Sequence, residues 1–439
     1  MEDVPVTDMT DPIITLDKLT YGGDAMGRLP DGRAVFVPVG LPGERVRIRL
    51  VQEKKNFARA ELLEILRPSP ERISAQCKHF FSPLHDTEGV GEGLGEGFCG
   101  GCHYQNLSYE TQLTIKTDIL RDQLQRIGKI KNPPVQPMVA CPNPWNYRNH
   151  VQFHLTGEGK LGFVSTLTPS PSPSGRGESV IAISECHLPE PSINALWPQL
   201  EFEPDAPIDR VSLRSGTDDD LMLILESEHL EAPELELEAG ISVVHLTEND
   251  ALVMAGEDHI FMQVLERNFR VSAGSFFQVN TAMAEKMVGH LLDKLPIPVK
   301  TILDVYCGVG LFSSFLAPQC ERLIGLEASP SACEDFVVNL DEFDNVELYE
   351  GGAEEVIPNL EAEQDIVVVD PPRSGVDKRA LDGIRQLAPQ FIAYVSCDPS
   401  TLARDAARLI AGGYRLVDVT PFDLFPQTYH IESISLFEL

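Results

Sequence analysis

Cys397 stands between an apolar run, FIAYVS (391–396), and the pair Asp398-Pro399, which suits the opening of a helix. A helix N-terminus favours the thiolate of a nearby cysteine, and the thiolate is the form that attacks carbon. A lone cysteine is more often a buried structural residue. Its place at the ligand edge of a sheet favours a nucleophile here. Asp370-Pro371-Pro372-Arg373 follows a second apolar run, DIVVVD (365–370). Two prolines fix a rigid turn and remove its backbone donors. Asp370 then either accepts a hydrogen bond from a ligand or merely ends a strand. Near the C-terminus, FPQTYHIE (425–432) carries two candidate general bases, His430 and Glu432, which spacing alone does not separate. A third group, Asp304-Val305-Tyr306-Cys307-Gly308-Val309-Gly310, closes the run TILDVY (301–306). Glycines after a strand let the backbone turn and approach a ligand. Glu327 ends the next run, RLIGLE (322–327), seventeen residues after Gly310. An acid there can accept hydrogen bonds from ribose hydroxyls. The combination points to a nucleoside cofactor rather than to a simple tight turn. A dinucleotide would need a third glycine, yet Phe312 and Ser313 follow Leu311. S-adenosylmethionine is therefore favoured.

These residues need a scaffold that brings strand ends together. From about residue 281 the pattern alternates strand and helix, with a further strand at NVELYE (345–350). That is the signature of an α/β fold with a doubly wound, Rossmann-like sheet, which binds ligands at the carboxyl ends of its strands. Residues 13–66 read as all-β. In VRIRLV, Val46, Ile48 and Leu50 point one way and Arg45, Arg47 and Arg49 the other. A small OB-like barrel with a basic outer face is expected, and such barrels often bind oligonucleotides. Between the two lies a less regular α+β region with one amphipathic helix over 111–128. Two low-complexity stretches interrupt it, EGVGEGLGEGF (88–98) and TPSPSPSGRGE (168–178), neither able to bury a face. The expected domains are 1–68, 69–270 with insertions near 84–98 and 168–179, and 271–439.

The chain has 439 residues and a net charge of −32. So acidic a protein repels RNA at long range, but the charge is uneven. Acid crowds residues 201–258. Arg45, Arg47, Arg49, Lys54, Lys55 and Arg59 form one basic run, and Lys116, Arg121, Arg126, Lys129 and Lys131 form another. Each run is either an RNA surface or an ordinary solvated face. No run of 18 or more apolar residues suggests a membrane span. The acidic N-terminus lacks the basic-then-apolar pattern of a signal peptide, so a cytoplasmic protein is expected. Nine cysteines are too few for a disulfide scaffold in a chain this long. Cys99-Gly100-Gly101-Cys102, with Cys77 before and Cys186 after, can instead hold a metal, with zinc slightly ahead of an iron–sulfur cluster on spacing alone.

DVYCGVGLF, DPPRSG, SCDPSTLARD and FPQTYHIE, in that order, resemble the RNA uracil-5-methyltransferase family, and GSFFQVN (274–280) matches the motif preceding its cofactor domain. LPGERVRIRL and KKNFARA resemble the TRAM domain of one branch. The resemblance spans nearly the whole chain. It implies that Cys397 adds to carbon 6 of uracil and makes carbon 5 nucleophilic toward the sulfonium methyl group, and that Glu432 then removes the carbon-5 proton. It places Gln278, Tyr306, Gly308, Gly310, Glu327 and Asp370 at the S-adenosylmethionine site. For Gln278 and Tyr306 it is the only ground. It also implies a [4Fe–4S] cluster on Cys77, Cys99, Cys102 and Cys186. Here 21 residues separate Cys77 from Cys99 where the family has five, an excess that coincides with the Gly/Glu-rich stretch. Cys141 is the substitute ligand should Cys77 not serve. The TRAM-plus-cysteine branch implies 23S ribosomal RNA as substrate, with transfer RNA the alternative. No obligate protein partner is evident. The competing readings are an amino-group methyltransferase, which leaves Cys397 and Glu432 idle, a non-catalytic RNA-binding protein and an iron–sulfur redox protein.

Overall fold

The computed structural model describes residues 11–81, 98–165, 180–204, 206–229, 231–233, 240–248, 250–360 and 364–439. The two low-complexity stretches, save Phe98, lie outside the described residues. The chain divides into two compact units, one of residues 1–115, 162–185 and 427–429, the other of 116–161, 186–426 and 430–439.

In the first unit, strands Ile13–Leu19, Ala25–Arg28, Ala34–Val37, Phe57–Arg67 and Arg45–Glu53 follow one another around a closed barrel. The two-residue alternation does what the sequence predicts. Val46 and Ile48 are wholly buried, Leu50 is half-buried, and Arg45 and Arg49 are exposed. The wall is not the basic face expected, however. Arg47 pairs with Glu64 at 3.0 Å, Arg49 with Glu61 at 3.5 Å, and Arg33 with Asp31 and Glu53 at 2.7 and 2.9 Å. Strand Phe57–Arg67 lies antiparallel to Arg45–Glu53 and sets acids opposite the arginines.

The second unit holds two large sheets and a two-stranded one, His259–Val264 with Arg267–Ser272. In the first, strands run in the order Ala251–Ala255, Ser242–Leu246, Leu221–Glu226, Arg210–Ser215 and His150–Leu155. The second is the doubly wound sheet, whose strands are here numbered β1 (Val299–Val305), β2 (Cys320–Glu327), β3 (Val346–Glu350), β4 (Ile366–Val369), β5 (Phe391–Ser396), β6 (Arg415–Phe422) and β7 (Glu432–Glu438). Their order is β3-β2-β1-β4-β5-β7-β6. β1 to β5 are parallel, and β7 is antiparallel to both β5 and β6. The core strands are continuous Val/Ile/Leu runs because helices cover both faces of a parallel sheet. The helices that matter for the site are α1 (Leu311–Leu316), α2 (Pro330–Asn339), α3 (Lys378–Leu387) and α4 (Pro399–Ala411).

The amphipathic helix over 111–128 spans Tyr109–Arg126, and the boundary between the two units falls inside it. Its basic run is a second correction. Lys116 is wholly buried and donates to Asp423 Oδ1 at 2.6 Å and to the Phe425 carbonyl at 2.9 Å. Arg121 pairs with Asp118 and Arg126 with Asp122, one turn away on the same helix. Among the described residues no helix is long and apolar enough to cross a membrane.

Candidate active site

β1 delivers the chain into a turn of unusual backbone. Tyr306, Gly308 and Gly310 all take positive φ, at 64°, 55° and 91°. A β-carbon on Gly310 would stand 2.3 Å from Leu340 Cδ1, so this glycine lets α1 start tight against the end of α2. A β-carbon on Gly308 would meet nothing within 4 Å. Its side of the turn is open. The Gly308 N–H donates to Glu327 Oε2 at 3.0 Å, while Ala328 and Ser329 donate to Oε1 at 2.8 Å each. Glu327 thus ties the β1 turn to the end of β2. A carboxylate has about four lone-pair sites, so three backbone donors leave room for one ligand hydroxyl. Behind the turn, the buried Asp304 accepts from Ser313 Oγ at 2.6 Å. Its other oxygen has no partner among the described residues. Burial, with Glu327 adding to it, raises its pKa to about 7. Motif reading gave Asp304 no role, since a buried acid cannot be told from a strand-ending one by pattern.

The second group lies two strands along the same edge. Ser396 on β5 pairs with Ser433 on β7. The next residue outward on β5 is Cys397 and on β7 is Glu432, so antiparallel register sets the thiol beside the carboxyl. Asp370 follows β4, which pairs with β5, and its N–H donates to the Val305 carbonyl at 3.2 Å. Glu432 is buried and its pKa is pushed well above the carboxylate range by burial and by Asp370. Asp370 rises to about 7 by burial and Asp304. Arg373 is the opposing charge that lowers both Glu432 and Cys397.

The thiol does not follow the helix-dipole expectation. Burial, then Glu432 and Asp370, push the Cys397 pKa up to about 12. The first N–H groups of α4 are already taken, because the Asp398 side chain accepts from Ser400 and Thr401 at 2.8 and 2.9 Å. His430, the other base candidate, stacks edge-on against Phe425 with centroids 5.4 Å apart and lies 3.4 Å from Arg373 Nη2.

Gln278 lies on a pinned segment. Asn149 donates to its carbonyl at 2.9 Å, and the buried Asp335 accepts from Ser275 Oγ at 2.6 Å. Phe276 between them is 68% exposed. Phe276 lies within GSFFQVN, and the motif reading gave it no role. Tyr306 is half-buried beside this edge, and burial pushes its phenol up to about 12.

The four cysteines read as cluster ligands are divided between the two units. Cys77, Cys99 and Cys102 fall in the first unit and Cys186 in the second. Among the described residues no three His, Cys, Asp or Glu side chains gather as a metal-holding group. The Gly101 N–H points at Cys99 Sγ at 3.4 Å, and Cys77 carries a thiol raised by burial. Cys141, the substitute, is engaged elsewhere, donating to the Asn143 carbonyl at 3.1 Å and accepting from Asn280 at 3.3 Å.

A seven-stranded sheet of this order, with an open glycine turn and an acid at the tips of β1 and β2, defines a Rossmann-like methyltransferase fold. A family model described as tRNA (Uracil-5-)-methyltransferase matches residues 236–438, and a TRAM domain model matches 14–63. An uncharacterized RNA methyltransferase of Aquifex aeolicus is 35% identical over 444 residues, covering 97% of this chain and 98% of that protein. Another, of Halalkalibacterium halodurans, is 32% identical over 464 residues, covering 97% and 96%. The chain belongs to the RNA uracil-5-methyltransferase family and carries its TRAM barrel. The crystal structure of Pyrococcus abyssi tRNA (uracil-54, C5)-methyltransferase with S-adenosyl-L-homocysteine has the same fold, with a TM-score of 0.73 at 22% identity, over 97% of this chain and 99% of that one.

Proposed function

We propose that the protein methylates carbon 5 of a uridine in RNA, with Cys397 as covalent nucleophile and Glu432 as base. The observation that carries this reading is the β5–β7 register, which puts a thiol and a buried carboxyl side by side at the ligand edge. The glycine turn suits S-adenosylmethionine: Gly308 is open, Glu327 keeps one acceptor site for a ribose hydroxyl, and Asp304 and Asp370 offer carboxyls to a cation. Gln278, Tyr306 and Gly310 complete the proposed cofactor site. When bound, S-adenosylmethionine supplies the electrophilic methyl group. Cys397 forms a bond to carbon 6 of the uracil, and the electrons of the 5,6 double bond move to the carbon-4 oxygen. Carbon 5 is then the nucleophile. After methylation Glu432 takes the carbon-5 proton, the double bond reforms and the carbon–sulfur bond breaks. Arg373 favours the charged forms of both groups. The target base must leave its stack to reach them, and the exposed Phe276 ring offers a face for it.

The TRAM barrel and the cysteine run support large-subunit ribosomal RNA as substrate. The name of the family model favours transfer RNA as the second reading. A [4Fe–4S] cluster rests on residue types alone, without support from their placement, and no catalytic step is assigned to it. Iron and sulfide assay of anaerobically purified protein tests it; absence of both excludes it.

The test of the reaction is incubation with S-adenosylmethionine and unmodified ribosomal or transfer RNA, followed by nucleoside mass spectrometry. 5-Methyluridine is expected in one RNA and is lost in Cys397→Ala. A different methylated nucleoside, or an active Cys397→Ala, overturns the covalent route.

A further inference from the structure

With its wall arginines paired to acids, the barrel has little charge with which to grip phosphate. It has a different feature instead. A cavity of about 410 Å³ opens at one end of the barrel, inside the first unit, lined by Tyr21, Gly22, Asp24, Phe36, Arg59 and His103 among others. That volume lies in the range of small-molecule sites. Tyr21, Phe36, Phe98 and His103 give it aromatic walls, and two of these rings are held by a further ring. The Tyr429 ring meets Tyr21 at 5.6 Å and His103 at 4.6 Å, both edge-on. Gly23, at φ +92°, lets His103 close in, since a β-carbon there would stand 2.7 Å from the imidazole. Gly22, at φ +106°, has nothing within 4 Å of where a β-carbon would be.

The polar wall is one carboxylate and one guanidinium. Arg59 Nη1 reaches Asp24 Oδ2 at a long 3.4 Å. The second carboxylate oxygen and the other guanidinium N–H groups make no hydrogen bond among the described residues, and burial raises the Asp24 pKa against the opposing pull of Arg59. Aromatic rings beside a hydrogen-bond acceptor and a donor are what proteins use to read an unstacked RNA base.

We propose that this cavity binds a guanine of the RNA substrate, at a nucleotide other than the methylated uridine. Guanine alone among the four bases presents an acceptor, O6, next to two donors, N1–H and the amino group. Arg59 donates to O6 and Asp24 accepts from the two donors, while the rings of Tyr21, Phe36 and His103 cover the base. Uracil flanks its single donor with acceptors, and adenine and cytosine offer one amino group beside an acceptor nitrogen, so none of them fills both partners.

The inference rests on the RNA-substrate reading, and its test separates the two. Guanosine 5′-monophosphate is titrated into the full chain saturated with S-adenosylhomocysteine, which closes the cofactor site to nucleotides, and binding is followed by ligand-observed NMR. Adenosine, cytidine and uridine monophosphates are run in parallel. Binding is expected for the guanosine nucleotide alone. It weakens about tenfold in Asp24→Asn and in Arg59→Gln, the order of one lost bidentate contact. Asp24→Asn is isosteric at a side chain whose one hydrogen bond is to Arg59, so the fold stands. In methylation assays the same variant raises the KM for RNA more than it lowers kcat. Equal binding of all four nucleotides, no binding, or unchanged binding by both variants overturns the guanine site. If the guanine selectivity holds but no RNA is methylated, the methyltransferase reading fails and the site stands.

Discussion

At the scale of single residues, the chemistry turns on protonation. A thiol with a pKa near 12 is almost wholly protonated at neutral pH, and the proposed attack on carbon 6 needs the thiolate. Two carboxyls raise it and one guanidinium lowers it. The sign follows directly. Below pH 12 the thiolate fraction grows about tenfold per pH unit, and a raised Glu432 also needs higher pH to become the carboxylate that takes the proton. The kcat/KM for RNA is therefore expected to rise with pH across the range 6.5 to 9 and to show no acid-side optimum. A profile that falls above pH 7 excludes a thiol in this environment as nucleophile. Arg373→Gln removes the opposing charge, so its kcat/KM at pH 7.5 should drop about tenfold, the effect of one pKa unit, and recover partly at pH 9. Arg373→Lys should keep more of the activity at pH 7.5. The placement of Cys397 and Glu432 at neighbouring strand ends was legible because each follows or opens an apolar run. The direction of the thiol shift was not, because the acids responsible arrive from β4 and β7, distant in sequence and joined by sheet register.

At the scale of elements, the segment before β7 is held along its length by three side chains. Asn280 donates to the Leu424 carbonyl at 3.1 Å, Lys116 to that of Phe425 at 2.9 Å and Tyr147 to that of Pro426 at 3.0 Å. Asp423 clamps Lys116, with both side chains fully buried. Desolvation lowers the Lys116 pKa against the pull of Asp423. Lys116→Met leaves an uncompensated buried carboxyl and is expected to cost about 3–5 kcal/mol, whereas Lys116→Met with Asp423→Leu recovers most of it. Urea unfolding of the single and double variants measures this, and equal loss in both would show that the pair is not coupled. Strands β1 to β5 were readable to within two residues as short runs between helical segments, whereas β6 was not read. Lys116 was read as a surface residue, RNA-facing or solvated, because helical periodicity does not reveal that one lysine has a buried aspartate over three hundred residues away. The paired barrel arginines were misread for the same reason: alternation shows which way Arg47 and Arg49 point, not that Glu64 and Glu61 stand opposite.

At the scale of the whole molecule, a net charge of −32 must coexist with an RNA substrate. Most basic side chains of the two runs are consumed within the fold, and on the barrel Arg28, Arg45, Lys54, Lys55 and Arg67 form no ion pair among the described residues. Each phosphate contact on single-stranded RNA adds about 0.7 to the slope of log affinity against log salt. Five such cations from the barrel predict a contribution of about −3.5, shallow beside the slopes near −10 of strongly basic binders. Stacking on Tyr21, Phe36 and Phe276 carries little salt dependence and is left to supply the balance. Affinity for the RNA, measured by filter binding between 50 and 300 mM salt, should therefore fall gently. Lys54→Glu with Lys55→Glu should weaken binding and flatten the slope further, by about 1.4 for two lost contacts. A steep wild-type slope, or a double variant that binds unchanged, would move the RNA interface away from the barrel and onto cations elsewhere in the chain.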